Sequence, residues 1–200
     1  MLSFLLPKNV TIFCSPSLIK IKYKDDLVIK KTGRVSFNIV SSTEGDRLFA
    51  SGPEASSALN TIYTLVFGLT RGYQQRLRLV GIGFRARLNV KDQIDNKLYT
   101  KNYRRKRINR AEYTKIISIK IGYSHESVYP IRKATDNEFV VSSPEGRSKG
   151  RLIDIKSKNY AAIKQAAAEI RSFRYPDAYK GKGIFYNNEV IKLKKGKRQG

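Results

Sequence analysis

Ser51-Gly52-Pro53-Glu54-Ala55-Ser56-Ser57-Ala58-Leu59-Asn60-Thr61-Ile62-Tyr63-Thr64-Leu65-Val66-Phe67-Gly68-Leu69-Thr70 decides the fold, because the hydrophobic period changes there. Ser51 to Glu54 reads as a helix start, with a capping residue, a proline at the first positions and an acid in the first turn. Ala55, Leu59, Ile62, Val66 and Leu69 follow at helical spacing, and Gly68 and Gly72 bound the end. The spacing predicts an amphipathic helix of about four turns. Upstream the period is two. Short apolar runs (Val10 to Phe13, Leu18 to Tyr23, Leu27 to Ile29, Val35 to Val40, Leu48 to Ala50) are separated by charged or turn residues such as Lys24-Asp25-Asp26 and Thr32-Gly33. That pattern argues an antiparallel sheet.

Downstream the same plan returns. Arg76 to Val80 and Arg87 to Val90 read as strands around Gly81 and Gly83, Ile116 to Ile121 as the next, and Phe139 to Val141 and Leu152 to Ile155 as two more around the polar turn from Ser142 to Gly150. Gly122-Tyr123-Ser124-His125 is a turn. Asn159 caps a second helix with Tyr160, Ile163, Ala167, Ile170 and Phe173 on one face, Lys164 and Arg171 on another, and Pro176 as its stop. Val190 to Leu193 is predicted to be a last strand, followed by a frayed tail from Lys194. Ser51 to Tyr73 and Ser157 to Tyr179 both run from a cap through a helix to an aromatic. The expected fold class is α+β: two similar small domains, each an antiparallel-rich sheet packed with one main helix, from internal duplication. The expected boundaries are an N-terminal domain at 1–72, a C-terminal domain at 73–194 and a basic tail at 195–200. Residues 91–115 break the pattern with nine basic and three acidic side chains and no clean period. They read as an exposed insertion, a loop or hairpin between two strands.

Composition narrows the function. Forty Lys and Arg face sixteen Asp and Glu, a formal net charge of +24. Such an excess makes a polyanion the expected partner, nucleic acid first and an anionic membrane surface second. An apolar fraction of 40% supports a core. Cys14 is the only cysteine, so no disulfide and no cysteine-based zinc site forms within the chain, and a buried apolar thiol is expected. No apolar run is long enough to span a bilayer. Leu2 to Leu6 is too short for a signal core, and an Arg-rich presequence is missing.

The stretch that carries function is Arg174-Tyr175-Pro176-Asp177-Ala178-Tyr179-Lys180-Gly181-Lys182-Gly183-Ile184-Phe185-Tyr186. Lys180 to Gly183 lacks the upstream glycine and following Ser/Thr of a nucleotide-binding P-loop, and it follows a helix rather than preceding one. It reads either as a solvated turn or, preferred here, as a phosphate contact. Glycines let backbone approach an anion, lysines supply charge, and Tyr175, Tyr179 and Tyr186 can stack or bond sugars. Gly81-x-Gly83 lacks the third glycine and following helix of a dinucleotide fingerprint; close backbone packing is the simpler reading. His125, the only histidine, is flanked by Ser124 and Glu126, whose side chains diverge from it on an extended chain. A turn residue or an RNA contact fits better than a catalytic triad. No His/Asp/Glu cluster has metal spacing.

Four segments resemble one family in the right order. Ala166-Ala167-Ala168-Glu169-Ile170-Arg171, with Arg174-x-Pro176-Asp177-x-Tyr179-Lys180-Gly181-Lys182-Gly183-Ile184-x-Tyr186, closely resembles the C-terminal motif of the large-subunit ribosomal protein six family. Gly68 to Tyr73, Leu79 to Ala86 and Ile121 to His125 resemble its other landmarks. The resemblance runs from about Leu48 to Gly196. It implies two α+β domains related by duplication, and a C-terminal domain docked on large-subunit rRNA near the sarcin–ricin loop and the translation-factor site. It implies no catalysis and no cofactor. The chain departs from the family at Glu126 (usually Pro), Phe185 (usually Arg) and Lys164 (usually Gly). It lacks the Gly-Pro-x-Gly turn, and 91–115 and roughly 142–151 are expanded. Abundant Ile, Lys, Tyr and Asn resemble an organelle-encoded protein, mitochondrial first, with a plastid or bacterial ribosome as the alternative.

The expected RNA-binding residues are Lys158, Lys164, Arg171, Arg174, Tyr175, Tyr179, Lys180, Gly181, Lys182, Gly183, Tyr186, Lys192, Lys194, Lys195, Lys197, Arg198, Ser124 and His125. In the insertion they are Arg104, Arg105, Lys106, Arg107 and Arg110. The expected partners are large-subunit rRNA and neighbouring ribosomal proteins, without membrane insertion or a small-molecule substrate. An RNA-modifying enzyme, or a basic RNA-binding protein outside the ribosome, is the rival reading, and no pocket motif supports the enzyme. A peripheral membrane protein is the other rival, but the second helix is Ala-rich with a narrow apolar face suited to packing on a sheet.

Overall fold

The structure, a computed structural model, describes residues 2–7, 9–15, 18–31, 35–42, 45–90, 113–132, 137–142 and 150–196. The chain divides after Gly72 into two compact units.

The first unit runs β1 (Leu2–Leu5), β2 (Val10–Ser15), β3 (Leu18–Tyr23), β4 (Asp26–Lys31), β5 (Ser36–Ser42), β6 (Gly45–Ser51) and α1 (Ala55–Thr70). Two antiparallel sheets form, ordered β1-β6-β5 and β2-β3-β4. Alternation puts Val10, Ile12, Ile19, Ile21, Leu48 and Ala50 inside, where Leu59, Ile62, Val66 and Leu69 of α1 meet them. The predicted helix is present, but its cap differs. Glu54 holds the N-cap position without a side-chain cap bond, while Ser51 ends β6 and its hydroxyl pairs with that of Ser36 at 2.7 Å. Leu2–Leu5, unassigned by pattern, is a strand. Cys14 is half-buried rather than buried, and burial still pushes its thiol up.

The second unit runs β7 (Tyr73–Val80), β8 (Arg85–Val90), β9 (Tyr113–Lys120), β10 (Ser127–Arg132), β11 (Glu138–Ser142), β12 (Leu152–Ser157), α2 (Tyr160–Ser172) and β13 (Gly183–Tyr186). Its antiparallel sheets are β10-β9-β8 and β11-β12-β7-β13. α2 packs on β7, β12 and β13, and Ile163, Ala167 and Ile170 join Leu77, Ile117, Ile119, Ile153 and Ile184 in the core. Each unit is six strands and then a helix, with the first strand pairing the sixth and the sixth the fifth. The chain is therefore α+β with two similar sheet-and-helix units. Only β13, on the free edge of β7, has no counterpart among the described residues of the first unit.

One strand is added to the expected plan, and two expectations change. Ser127–Arg132 is a strand despite Pro130. It pairs only with β9 among the described residues, and an edge strand tolerates a missing amide donor. Val190 to Leu193 is not a strand, and Val190 is 92% exposed. Glu189, drawn back toward Arg171 and the Tyr186 amide, turns the chain away from the β13 edge. The stretch read as an insertion at 91–115 does join paired strands, since Val90 faces Lys115. β9 begins at Tyr113, however, so the last three of those residues are strand. Residues 91–112, with Arg104, Arg105, Lys106, Arg107 and Arg110, lie outside the described residues, as do 143–149 and Lys197 and Arg198.

Candidate nucleic-acid interface

The site is built on α2. Asn159 caps it as expected, its side-chain oxygen accepting the amides of Ala161 at 3.0 Å and Ala162 at 3.4 Å. Burial of Ile163, Ala166, Ala167 and Ile170 fixes the helix's rotation, which turns Lys164 and Arg171 outward from the core. The Lys164 ammonium donates to the Gln75 side-chain oxygen at 2.8 Å and lies 5.5 Å from the Tyr160 ring.

Beyond the helix the chain makes a tight turn. The Gly181 amide donates to the Asp177 carbonyl at 3.0 Å, and the Asp177 amide to the Lys182 carbonyl at 2.9 Å. Gly181 has φ of 62°. Gly183 leaves no room for a side chain, since a Cβ there would sit 2.6 Å from Pro176 Cα. The Lys180 amide donates to the Asp177 carboxylate at 2.8 Å. That amide first, then that of Tyr179, hold the Asp177 carboxyl below its ordinary range. With these amides engaged by Asp177, the turn offers an outside anion its lysine side chains rather than a nest of backbone donors.

The following segment returns over this turn. The Lys194 amide donates to the Ala178 carbonyl at 2.9 Å, and Leu193 lies against Gly181. Lys192, Lys194 and Lys195 are thereby gathered beside Lys180 and Lys182, with Tyr175 and Tyr179 exposed on the same loop. Lys182 and Tyr186 are half-buried.

The two arginines are engaged within the protein. Arg171 donates to the Glu189 carboxylate from Nε and Nη2 and lies 5.2 Å from the Tyr175 ring and 5.1 Å from the Tyr186 ring. Burial alone would push Glu189 up. The Arg171 guanidinium, the Tyr186 amide and the charges of Arg171 and Arg78 outweigh it, so the carboxyl sits below its ordinary range. Arg174 donates from Nη1 to the Ile121 carbonyl at 2.6 Å and lies between the rings of Phe84 and Tyr123, at 5.4 and 5.1 Å. The Tyr123 hydroxyl donates to the Phe173 carbonyl at 3.3 Å, and its ring stacks on His125. Arg174 thus ties the Gly122 to His125 turn, with Ser124 and His125, to the end of α2. The glycine motifs serve this packing. A Cβ on Gly81 would meet the Phe84 ring at 2.9 Å, and one on Gly122 would meet Arg174 at 3.1 Å.

Lys158 is not gathered with the rest. It precedes α2, whose 13 residues put about 20 Å between that end and the Lys180 turn, by the helical rise. Arg85, facing Lys120 across β8 and β9, and Arg87 add exposed cations that pattern alone did not single out. Among the described residues no group of three His, Cys, Asp or Glu could hold a metal. No helix among them is long and apolar enough to cross a membrane.

Two units of one connectivity, the second carrying a turn that bears lysines and exposed rings, define a class of small two-unit α+β proteins with a basic, ring-bearing surface on the second unit. No protein-family model matches the chain. It is 31% identical over 188 residues to large ribosomal subunit protein uL6 of Persephonella marina, covering 88% of this chain and 83% of that one. Against uL6 of Bacteroides thetaiotaomicron it is 28% identical over 204 residues, covering 92% and 93%. Against uL6 of Polynucleobacter asymbioticus it is 28% identical over 149 residues, covering 74% of this chain and 66% of the relative. The chain belongs to the large ribosomal subunit protein uL6 family.

Proposed function

We propose that this chain is a structural constituent of the large ribosomal subunit, not an enzyme, and that its second unit binds rRNA near the sarcin–ricin loop and the translation-factor site. The observation that carries the RNA reading is the gathering of Lys180, Lys182, Lys192, Lys194 and Lys195 around exposed Tyr175 and Tyr179. Lysines neutralise phosphates, and rings take sugars or unstacked bases. A-form RNA hides its major groove, so shape and 2′-hydroxyl contacts carry the recognition. Arg171 and Arg174 act on this surface from within, by holding its loops in place. The shared connectivity of the two units supports their origin by duplication, with domains at 1–72 and 73–194. A composition rich in Ile, Lys, Tyr and Asn supports a mitochondrial ribosome. The relatives named above are bacterial, and a bacterial or plastid ribosome is the alternative. Sedimentation of the native protein in high salt tests the class: it should travel with large subunits, and with those of the organelle. Migration as a free protein rejects the ribosomal reading.

A further inference from the structure

The outer face of the β2-β3-β4 sheet is a second surface, unlike the first. Register places its residues in three rows: Ser15, Leu18 and Lys31; Phe13, Lys20 and Ile29; Thr11, Lys22 and Leu27. The opposite face, with Ile12, Ile19 and Ile21, is in the core. On the outer face Phe13 is 62% exposed, Leu27 57% and Ile29 54%. No carboxylate lies in these rows; Asp25 is in the turn between β3 and β4, and Asp26 alternates to the other face.

We propose that this face docks an acidic protein segment presenting apolar side chains, a neighbour of the chain in its particle; the identity of that particle rests on the ribosomal reading above. Three observations favour such a partner over RNA. Two of the three most exposed apolar side chains are aliphatic, and Leu27 and Ile29 have no ring face on which a base could stack. Covering them with phosphate would desolvate the phosphate without return, whereas apolar partner side chains gain about 25 cal/mol per Å² buried. The lysines set among them call for carboxylates, not further cations. The basic surface at Tyr175 and Tyr179 pairs lysines with aromatics instead.

The rows span roughly 10 Å by 14 Å from the spacings of a β-sheet. A standard interface buries about 800 Å² per partner, so this patch is the centre of a docking site, with Phe13 as its anchor.

The test is photo-crosslinking from benzoylphenylalanine at position 13 of the full chain in assembled large subunits, with exposed Ile82 as the control position. The expected product is a protein adduct whose linked peptide has net negative charge and apolar residues. Lys20→Glu with Lys22→Glu should lower its yield at least tenfold while the chain stays in the subunit. Four outcomes overturn the proposal. They are an RNA adduct, a basic peptide, a yield no greater than from position 82, and a yield that the paired substitution leaves unchanged. Absence of the chain from large subunits would overturn the ribosomal reading, and this inference with it.

Discussion

At the scale of single residues, the basic side chains near α2 divide into those that face outward and those that hold the surface. Lys180 is exposed on a turn fixed by Asp177. Lys180→Glu with Lys182→Glu should therefore lower affinity for an rRNA fragment at least tenfold and leave the circular dichroism spectrum unchanged. Unchanged affinity would remove this turn from the interface. Arg174 should behave differently. If it met phosphate directly, Arg174→Lys would keep most of the binding, because the charge remains. Because it bonds the Ile121 carbonyl and lies between Phe84 and Tyr123, Arg174→Lys should lose as much binding as Arg174→Met. Near-normal binding by the lysine variant would return Arg174 to the list of direct contacts. Glu189 gives a pH test. Its folded pKa lies below the ordinary 4.5, so its stabilisation is complete above that value and is lost as pH falls through the lower, folded one. Glu189→Gln should cost about 1.5 kcal/mol near neutrality, the scale of a hydrogen bond to a charged group. The difference from the native chain should shrink in urea titrations carried below pH 4.5. A gap independent of pH would mean that the pair with Arg171 adds nothing.

At the scale of elements, what the sequence makes legible follows from which forces are local. α1 and α2 were readable because their apolar stripes and the Asn159 cap are written within one stretch of chain. Asn159→Ala should cost about 1 kcal/mol, as cap removal does, measured by thermal denaturation. Strand β10 was hidden, because Pro130 argues against a strand unless one knows that the strand lies at an edge, and edges are set by tertiary pairing. Val190 to Leu193 failed in the opposite way. Its alternation suits a strand, but Glu189 is held by Arg171, 18 residues earlier in the chain, and no local pattern records that. The site was half legible: lysines and tyrosines in one loop could be read, while the engagement of Arg171 and Arg174 by distant groups could not. The β8–β9 connection tests the element plan. Replacing residues 91–112 by a short Gly-containing turn, with Tyr113 retained for its place opposite Arg132, should change stability by no more than about 1 kcal/mol. Loss of the cooperative unfolding transition would make that stretch part of the core.

At the scale of the whole molecule, a net charge of +24 draws the chain to any polyanion, so attraction alone cannot define where it sits. Geometry has to do that, and the second unit concentrates it: five lysines and two exposed rings are collected by a turn, a returning segment and an arginine clamp. Diffuse attraction and a built site differ in their response to salt. Each neutralised phosphate releases counterions, so five lysine contacts give a slope of log K against log salt of roughly −3.5 to −4.5, using about 0.7 to 0.9 per contact. Reversing Lys180 and Lys182 should then make the slope shallower by about 1.5, the share of two contacts. Reversing Lys20 and Lys22, on the outer face of the β2-β3-β4 sheet, changes the net charge equally but should leave the slope for rRNA unaltered. Fluorescence anisotropy with a labelled rRNA fragment, across a range of salt concentrations, measures all three. Equal changes for the two reversals would show that only total charge matters, and the turn after α2 would lose its claim to be a site.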